Sequence, residues 1–381
     1  MRLSVQQPVI SWAIERARAE YGQVAAKHTW IGAGSDGSFS PTFKQLEKFA
    51  KDLRVPFGFL LLDKPPEEKI PIPDFRTMPG SGERSPSPDL LDTIYLSQNR
   101  QSWYRDYVKV HDAETPDFVG SVAAKQQNIE EVAGRIREKI QFSLRERAAA
   151  PTWTEALSKL VKQTDDSGVL VMVNGVVGNN TRRALNPEEF RGFALCDALA
   201  PLIFVNGADT KSAQMFTIIH ELAHIWAGES ALTDSSPEDI PEKSLELWCD
   251  KVSAEVLVPE KDLRSNIKLN ESTDDALARL ARIYKVSTLV ILRRLFDVES
   301  ISQNNFWSEY EEELSRLKSI KRSSSGGSFY NTQNFRVSRR FAKAVIESAL
   351  SGETLYGDAL RLMSIGSVKT LKETARRLEV I

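Results

Sequence analysis

The sequence predicts an α+β fold, mostly helical, and three observations carry that prediction. Apolar residues recur at helical spacing over most of the chain, as in Phe43, Leu46, Phe49, Ala50 and Leu53. Three short runs, 169–173, 192–196 and 202–205, are instead uniformly apolar and too brief for helices, which reads as a small buried sheet. A stretch without a breaker follows them, from Met215 to Ala227, and its apolar residues lie all round, as in a buried helix. Hydrophobic and charged contents of 41 % and 27 % are those of a soluble globular chain, and 381 residues allow about two or three domains.

In chain order, residues 1–62 read as a small helical unit. One amphipathic helix covers 9–21, a second opens at Pro41-Thr42, and the apolar segment 55–62 closes it. Residues 29–38 carry three glycines, which disfavour a helix there. A proline-rich connector, 63–88, should be extended. Within it, Phe75 and Arg76 offer an apolar side chain and a planar fork for docking on the domain that follows. Residues 89–300 form the main domain, with helices over 89–111, 129–143 and 153–164 ahead of the sheet. Trp103, Tyr104 and Tyr107 make an aromatic stripe in the first of these, at a spacing typical of packing. Two further helices, 275–283 and 288–296, are joined by a tight turn. Residues 301–335 hold a helix and the Ser/Gly linker 323–328; residues 336–381 form a small helical domain with Arg336, Arg339, Arg340 and Lys343 in one basic patch.

The chemistry concentrates in the breaker-free stretch. Asp209 or Thr210 can cap its start and Gly228 its end. It contains His220-Glu221-Leu222-Ala223-His224, two of the four histidines in the chain. Residues four apart on a helix share a face, so the two imidazoles address one point. That pairing suits zinc, with Glu221 placed to act as a base toward water. A catalytic zinc needs a third protein ligand. Glu246 and Asp250 share a face of the helix expected over 241–257, which lets Glu246 close the set while Asp250 accepts the spare N–H of a ligand histidine, His220. Glu255 competes with Glu246. The two are nine residues apart, about half a turn beyond two full turns, so only one can face the metal; Glu246 has Asp250 beside it.

These residues resemble the ImmA/IrrE family of bacterial and phage metallopeptidases. The similarity rests on EFRGFAL at 189–195, APLIFVN at 200–206, FTIIHELAH at 216–224, CDKVSAEVLVP at 249–259 and PDFRT at 73–77, and is specific over about 160–260. The resemblance implies a gluzincin-like minimal metallopeptidase domain with a small β-sheet, flanked by helical N- and C-terminal domains. It implies His220, His224 and Glu246 as zinc ligands and Glu221 as general base. It also implies a polypeptide substrate held by backbone pairing along a sheet edge. The residues that stabilise the oxyanion stay open among His28, His111 and Tyr330. Residues 41–56 resemble part of an Xre-type helix-turn-helix, but the glycines at 29–38 depart from it where a recognition helix belongs.

Two functions follow from this resemblance. One is a zinc-dependent site-specific endopeptidase acting on a regulatory protein, such as a helix-turn-helix repressor encoded nearby, in prophage, stress or defence control. The other is an antitoxin or transcriptional regulator that binds a PIN-like toxin or operator DNA, with the zinc domain structural or weakly active. A net charge of −2 provides no general field for nucleic acid, so DNA contact would have to be local. Two cysteines, Cys196 and Cys249, suit a reducing compartment, and the absence of a signal peptide or long apolar run makes cytoplasm the expected location, with no membrane partner.

Overall fold

The computed structural model describes residues 2–33, 37–68, 70–73, 86–123, 128–233, 244–268, 270–319 and 336–380. Residues 74–77 of the expected docking segment, Tyr330, the 323–328 linker and the start of the helix expected from 241 lie outside them. The chain divides into two compact units, residues 1–71 with 80–95, and residues 72–79 with 96–381.

In the first unit, β1 (Val5–Gln6) leads straight into α1 (Gln7–Arg16), where Pro8 sits at the helix start and costs no hydrogen bond. Helix α2 (Tyr21–Lys27) is followed by a 3₁₀ turn over Thr29–Ala33 and by β2 (Ser38–Phe39), which pairs antiparallel with β1. Gly32 lies in the tight turn and Gly37 just before the return strand, and no α-helix forms among the described residues of 29–38. Helix α3 (Phe43–Leu53) opens with a reciprocal capping box: Gln45 N donates to Thr42 Oγ1 and Thr42 N to Gln45 Oε1. His28 is buried here, 3.1 Å from Asp52 and edge-on to Phe49, so it serves this unit's core.

The second unit is built on a four-stranded sheet. Helix α4 (Pro88–His111) contributes its residues from 96 onward, followed by α5 (Ile129–Lys139), α6 (Leu144–Ala148) and α7 (Trp153–Asp166). Then come β3 (Leu170–Asn174), β4 (Gly192–Leu195) and β5 (Leu202–Asn206), helix α8 (Lys211–Ala227), and β6 (Ala231–Thr233). Spatial order is β3-β5-β4-β6, with β3 parallel to β5 and the other two pairings antiparallel. Side chains alternate across it. Val171, Val173, Ala194, Ile203 and Val205 join Ile218, Ile219 and Leu222 of α8 in one core. Phe193 and Phe204 stack at 5.0 Å on the other face. Both faces are buried, which is why the strands read as continuous apolar runs.

The chain continues through α9 (Ser244–Leu257), α10 (Glu260–Asn266), α11 (Thr273–Tyr284), α12 (Thr288–Asp297) and α13 (Gln303–Ser319). The C-terminal helices are α14 (Arg339–Ser351), α15 (Tyr356–Leu362) and α16 (Val368–Arg377). They belong to the same compact unit as the sheet. Phe341 packs on Trp103 and Tyr104, and Arg100, almost fully buried, donates to Leu362 O, at the end of α15, and to Ser364 Oγ. Part of the expected basic patch is engaged internally: Arg336 donates to Asn179 Oδ1, and Arg340 to the carbonyls of Asp165 and Asp166. The Arg340 backbone N–H also donates to Asp165, whose carboxyl burial pushes up to about 6.

Helix α8 ends where two backbones meet. Gly228 has φ 80°, the left-handed turn that closes a helix. Beside it, Gly120 N and Val122 N donate to Ile225 O and Trp226 O, so residues 118–122 satisfy the last carbonyls. A methyl group on Gly228 would stand 2.9 Å from Gly120 Cα. Gly352 ends α14 with a similar φ of 85° but has open space around it. Gly352→Ala is therefore expected to cost about 1 kcal/mol, the left-handed strain alone. Gly228→Ala should cost clearly more in urea denaturation, and equal losses would show that the close approach carries no energy.

Candidate metal centre

Helix α8 is positioned from its first turn. Thr210 accepts Ala213 N at its side chain, and Gln214 Nε2 donates to Gly207 O and Asp209 O, tying the helix start to the loop after β5. From Gln214 to Trp226 every residue is buried. The helix consequently cannot rotate without exposing apolar surface, and the two imidazoles are fixed in direction.

His220 and His224 meet Glu246, which enters from the first turn of α9. His220 Nε2 lies 3.1 Å from His224 Nε2 and 3.1 Å from Glu246 Oε2, and His224 Nε2 lies 3.1 Å from Glu246 Oε1. Among the described residues this is the one group of three such side chains with ligand atoms within 4.8 Å of one another. Tetrahedral zinc with bonds of 2.0–2.1 Å separates its ligand atoms by about 3.3 Å, close to the spacing here. Asp250 Oδ1 stands 2.9 Å from His220 Nδ1, placed to accept that proton and leave the Nε2 lone pair inward. The structure thus brings together all four residues expected from the spacing of α8 and α9.

Electrostatics agrees with a cation site. Burial pushes His220 down, but Asp250 and Glu246 outweigh it and hold the imidazole well above its usual value. Burial lowers His224, and its charged neighbour His220 adds to that. Burial alone would raise Glu246, yet the two imidazoles bring it far below the usual carboxylate range. Three basic atoms converge here, an arrangement that a dication accepting three lone pairs satisfies well.

Glu221, fully buried, projects from the same helix toward β4. A methyl group on Gly192 would lie 3.2 Å from Glu221 Oε1, 2.5 Å from Thr217 Cγ2 and 2.8 Å from Phe204 O. Only glycine lets α8 settle this deeply on the sheet. In the sequence Gly192 counts only as the start of the strand 192–196 and as part of the EFRGFAL motif, although a glycine opening an apolar strand also signals close backbone approach.

Glu255 takes a different place. Its carboxylate pairs with Arg294 at 2.5 Å and accepts Glu260 N, away from the metal cluster. The arginines around this end of α9, Arg137, Arg147 and Arg294, are dispersed in sequence and left no pattern to find. Cys249 is buried within the core and Cys196 half-buried; both are free. Of the residues open for the oxyanion role, His28 belongs to the first unit's core and His111 pairs with Glu353 at 3.0 Å.

Residues 164–296 match the family model Peptidase_M78, described as the IrrE N-terminal-like domain. The match takes in β3 to β6, α8 and α9, and it supports the ImmA/IrrE family, a peptidase family, for this part of the chain. Residues 337–377 match a model described as a domain of unknown function, DUF8813, which spans α14 to α16. No curated protein matches the chain. Among the described residues no helix is long and apolar enough to cross a membrane.

The close approach at Gly192 is testable by compensation. Gly192→Ala should lower the melting temperature through the clash with Thr217 Cγ2. Adding Thr217→Ser, which removes that methyl, should recover part of the loss; strictly additive losses would show that the two side chains do not meet.

Proposed function

We propose that the chain is a zinc-dependent endopeptidase acting on a regulatory polypeptide, with His220, His224 and Glu246 as the zinc-holding residues. The observation that carries this reading is the convergence of these three side chains at 3.1 Å, with Glu221 one residue from the first of them. The peptidase-family match over the same residues supports it. Zinc, when bound there, supplies a Lewis acid for the scissile carbonyl and lowers the pKa of water toward about 7.

The remaining work falls to the protein. Asp250 accepts the Nδ1 proton of His220 and so orients the ring with Nε2 toward His224 and Glu246. Glu221, set in dry surroundings between α8 and β4, takes a proton from the attacking water and delivers it to the leaving amine. Its placement over Gly192 restrains the carboxylate. An extended substrate suits the β4–β6 side of the sheet, because a polypeptide can pair its backbone with an edge strand.

The substrate we favour is a regulatory protein, such as a helix-turn-helix repressor encoded nearby, met in the cytoplasm. The 3₁₀ turn over Thr29–Ala33 and the net charge of −2 support a first unit that contacts protein more readily than it reads DNA.

Two substitutions test the assignment. Glu221→Gln should keep zinc at parental stoichiometry and lose at least about a hundredfold in hydrolysis, the usual contribution of a general base. Glu246→Ala should weaken zinc about tenfold or more. Metal analysis of the purified proteins and a cleavage assay on the cognate repressor check both; equal cleavage by Glu221→Gln and the parent would sink the peptidase reading.

A further inference from the structure

We propose that Arg294 and Glu255, with Arg137 and Arg147, are positioning residues that set α9 along and about its axis, and thereby place Glu246 against the two imidazoles. This rests on the zinc-site reading above and names residues that act on it through α9.

Glu246 lies two residues after Ser244, the first described residue of α9. Each residue of helix advances about 1.5 Å and turns about 100°, so a small slip or rotation would carry the carboxylate out of reach of one imidazole. Leu245, Trp248, Cys249 and Val252 pack this part of α9 into the core, and the other end adds directional restraint.

At that end the last carbonyls lack helical partners. Three guanidinium groups from three different helices supply them. Arg137 of α5 donates to Glu255 O at 2.6 Å, Arg147 of α6 to Leu257 O, and Arg294 of α12 to Val258 O at 3.0 Å. Arg294 also pairs with the Glu255 carboxylate at 2.5 Å, and that carboxylate accepts Glu260 N at 3.2 Å, which ties α10 to the same point. Contacts from three directions define position and rotation together, which one cap would not do.

The arrangement is an expensive way merely to end a helix. Arg147 and Arg294 are almost fully buried, and burial brings the Arg147 guanidinium down to about 9. Glycine ends α8 and α14 without any buried charge. Arginine adds direction, because its planar fork fixes the geometry of each bond. Nine residues separate Glu255 from Glu246, roughly 13 Å along the axis, so the clamp does not touch the metal and acts only through the helix.

The test uses the full chain. Arg294→Met alone leaves Glu255 buried and unpaired, so the informative variant is Arg294→Met with Glu255→Gln, in which both charges leave together. Circular dichroism of the metal-free protein establishes folding. Zinc affinity is then measured by competition with a chromophoric chelator, and the visible spectrum of the cobalt-substituted protein reports ligand geometry. The double variant should fold, bind zinc about tenfold more weakly and show an altered cobalt spectrum, with Arg294→Lys intermediate. Parental zinc affinity and an unchanged cobalt spectrum in a folded double variant would overturn the clamp while leaving the zinc site standing. A parent that binds neither metal would overturn the site reading and the clamp with it.

Discussion

The structure depends on one meeting: two imidazoles from α8 and one carboxylate from α9, with ligand atoms 3.1 Å from one another. Everything nearby serves to hold two helices at that separation. The i, i+4 spacing solves half of the problem inside α8, because helix geometry alone aligns His220 with His224. Bringing in Glu246 is harder, since it lies 26 residues further on and belongs to a separate element. That contact must be created by packing, and packing of this accuracy requires both helices to be immobile.

Helix α8 is immobilised by burial. Apolar residues cover it on all sides, its first turn is bonded to the loop after β5, and its last turn receives the 118–122 segment. The sheet adds the depth stop, for Gly192 lets Thr217 and Glu221 rest directly on β4. Helix α9 is buried too, through Trp248, Cys249, Val252, Val256 and Leu257, but it adds a second device. Directional bonds from arginines hold its end, and they define position where a greasy contact would only define proximity. The two devices are complementary: one sets the platform and the other sets the register of what approaches it.

Much of this was legible in the sequence, and the boundary of legibility is physical. The cap at Thr210, the stop at Gly228, the three strands within about a residue, and the shared face of Glu246 and Asp250 are local consequences of propensity and periodicity. Strand β6, the β1–β2 pair and the Gly120–Gly228 approach are not, because each exists only through a partner distant in sequence. The same holds for the C-terminal helices. Their amphipathic pattern predicted helices, but nothing in it said that Arg100 would cap α15 or that Phe341 would pack on α4. Basic residues at 336–343 read as one patch, because a sequence does not reveal which arginines will find carbonyls.

Glu246 and Glu255 show how completely surroundings decide the role of a side chain. Both are glutamates on one helix, and both are buried. Glu246 faces two imidazoles, whose attraction overwhelms the burial penalty and keeps the carboxylate ionised. Glu255 faces Arg294, with Arg137 and the Glu260 N–H also lowering it, yet burial outweighs them and raises it. Their separation of about half a turn puts them on opposite sides of α9, so the helix presents one acid to the metal site and the other to the arginines. A single helix therefore carries both the ligand and the handle by which that ligand is held, and the fold needs no further element to connect the two.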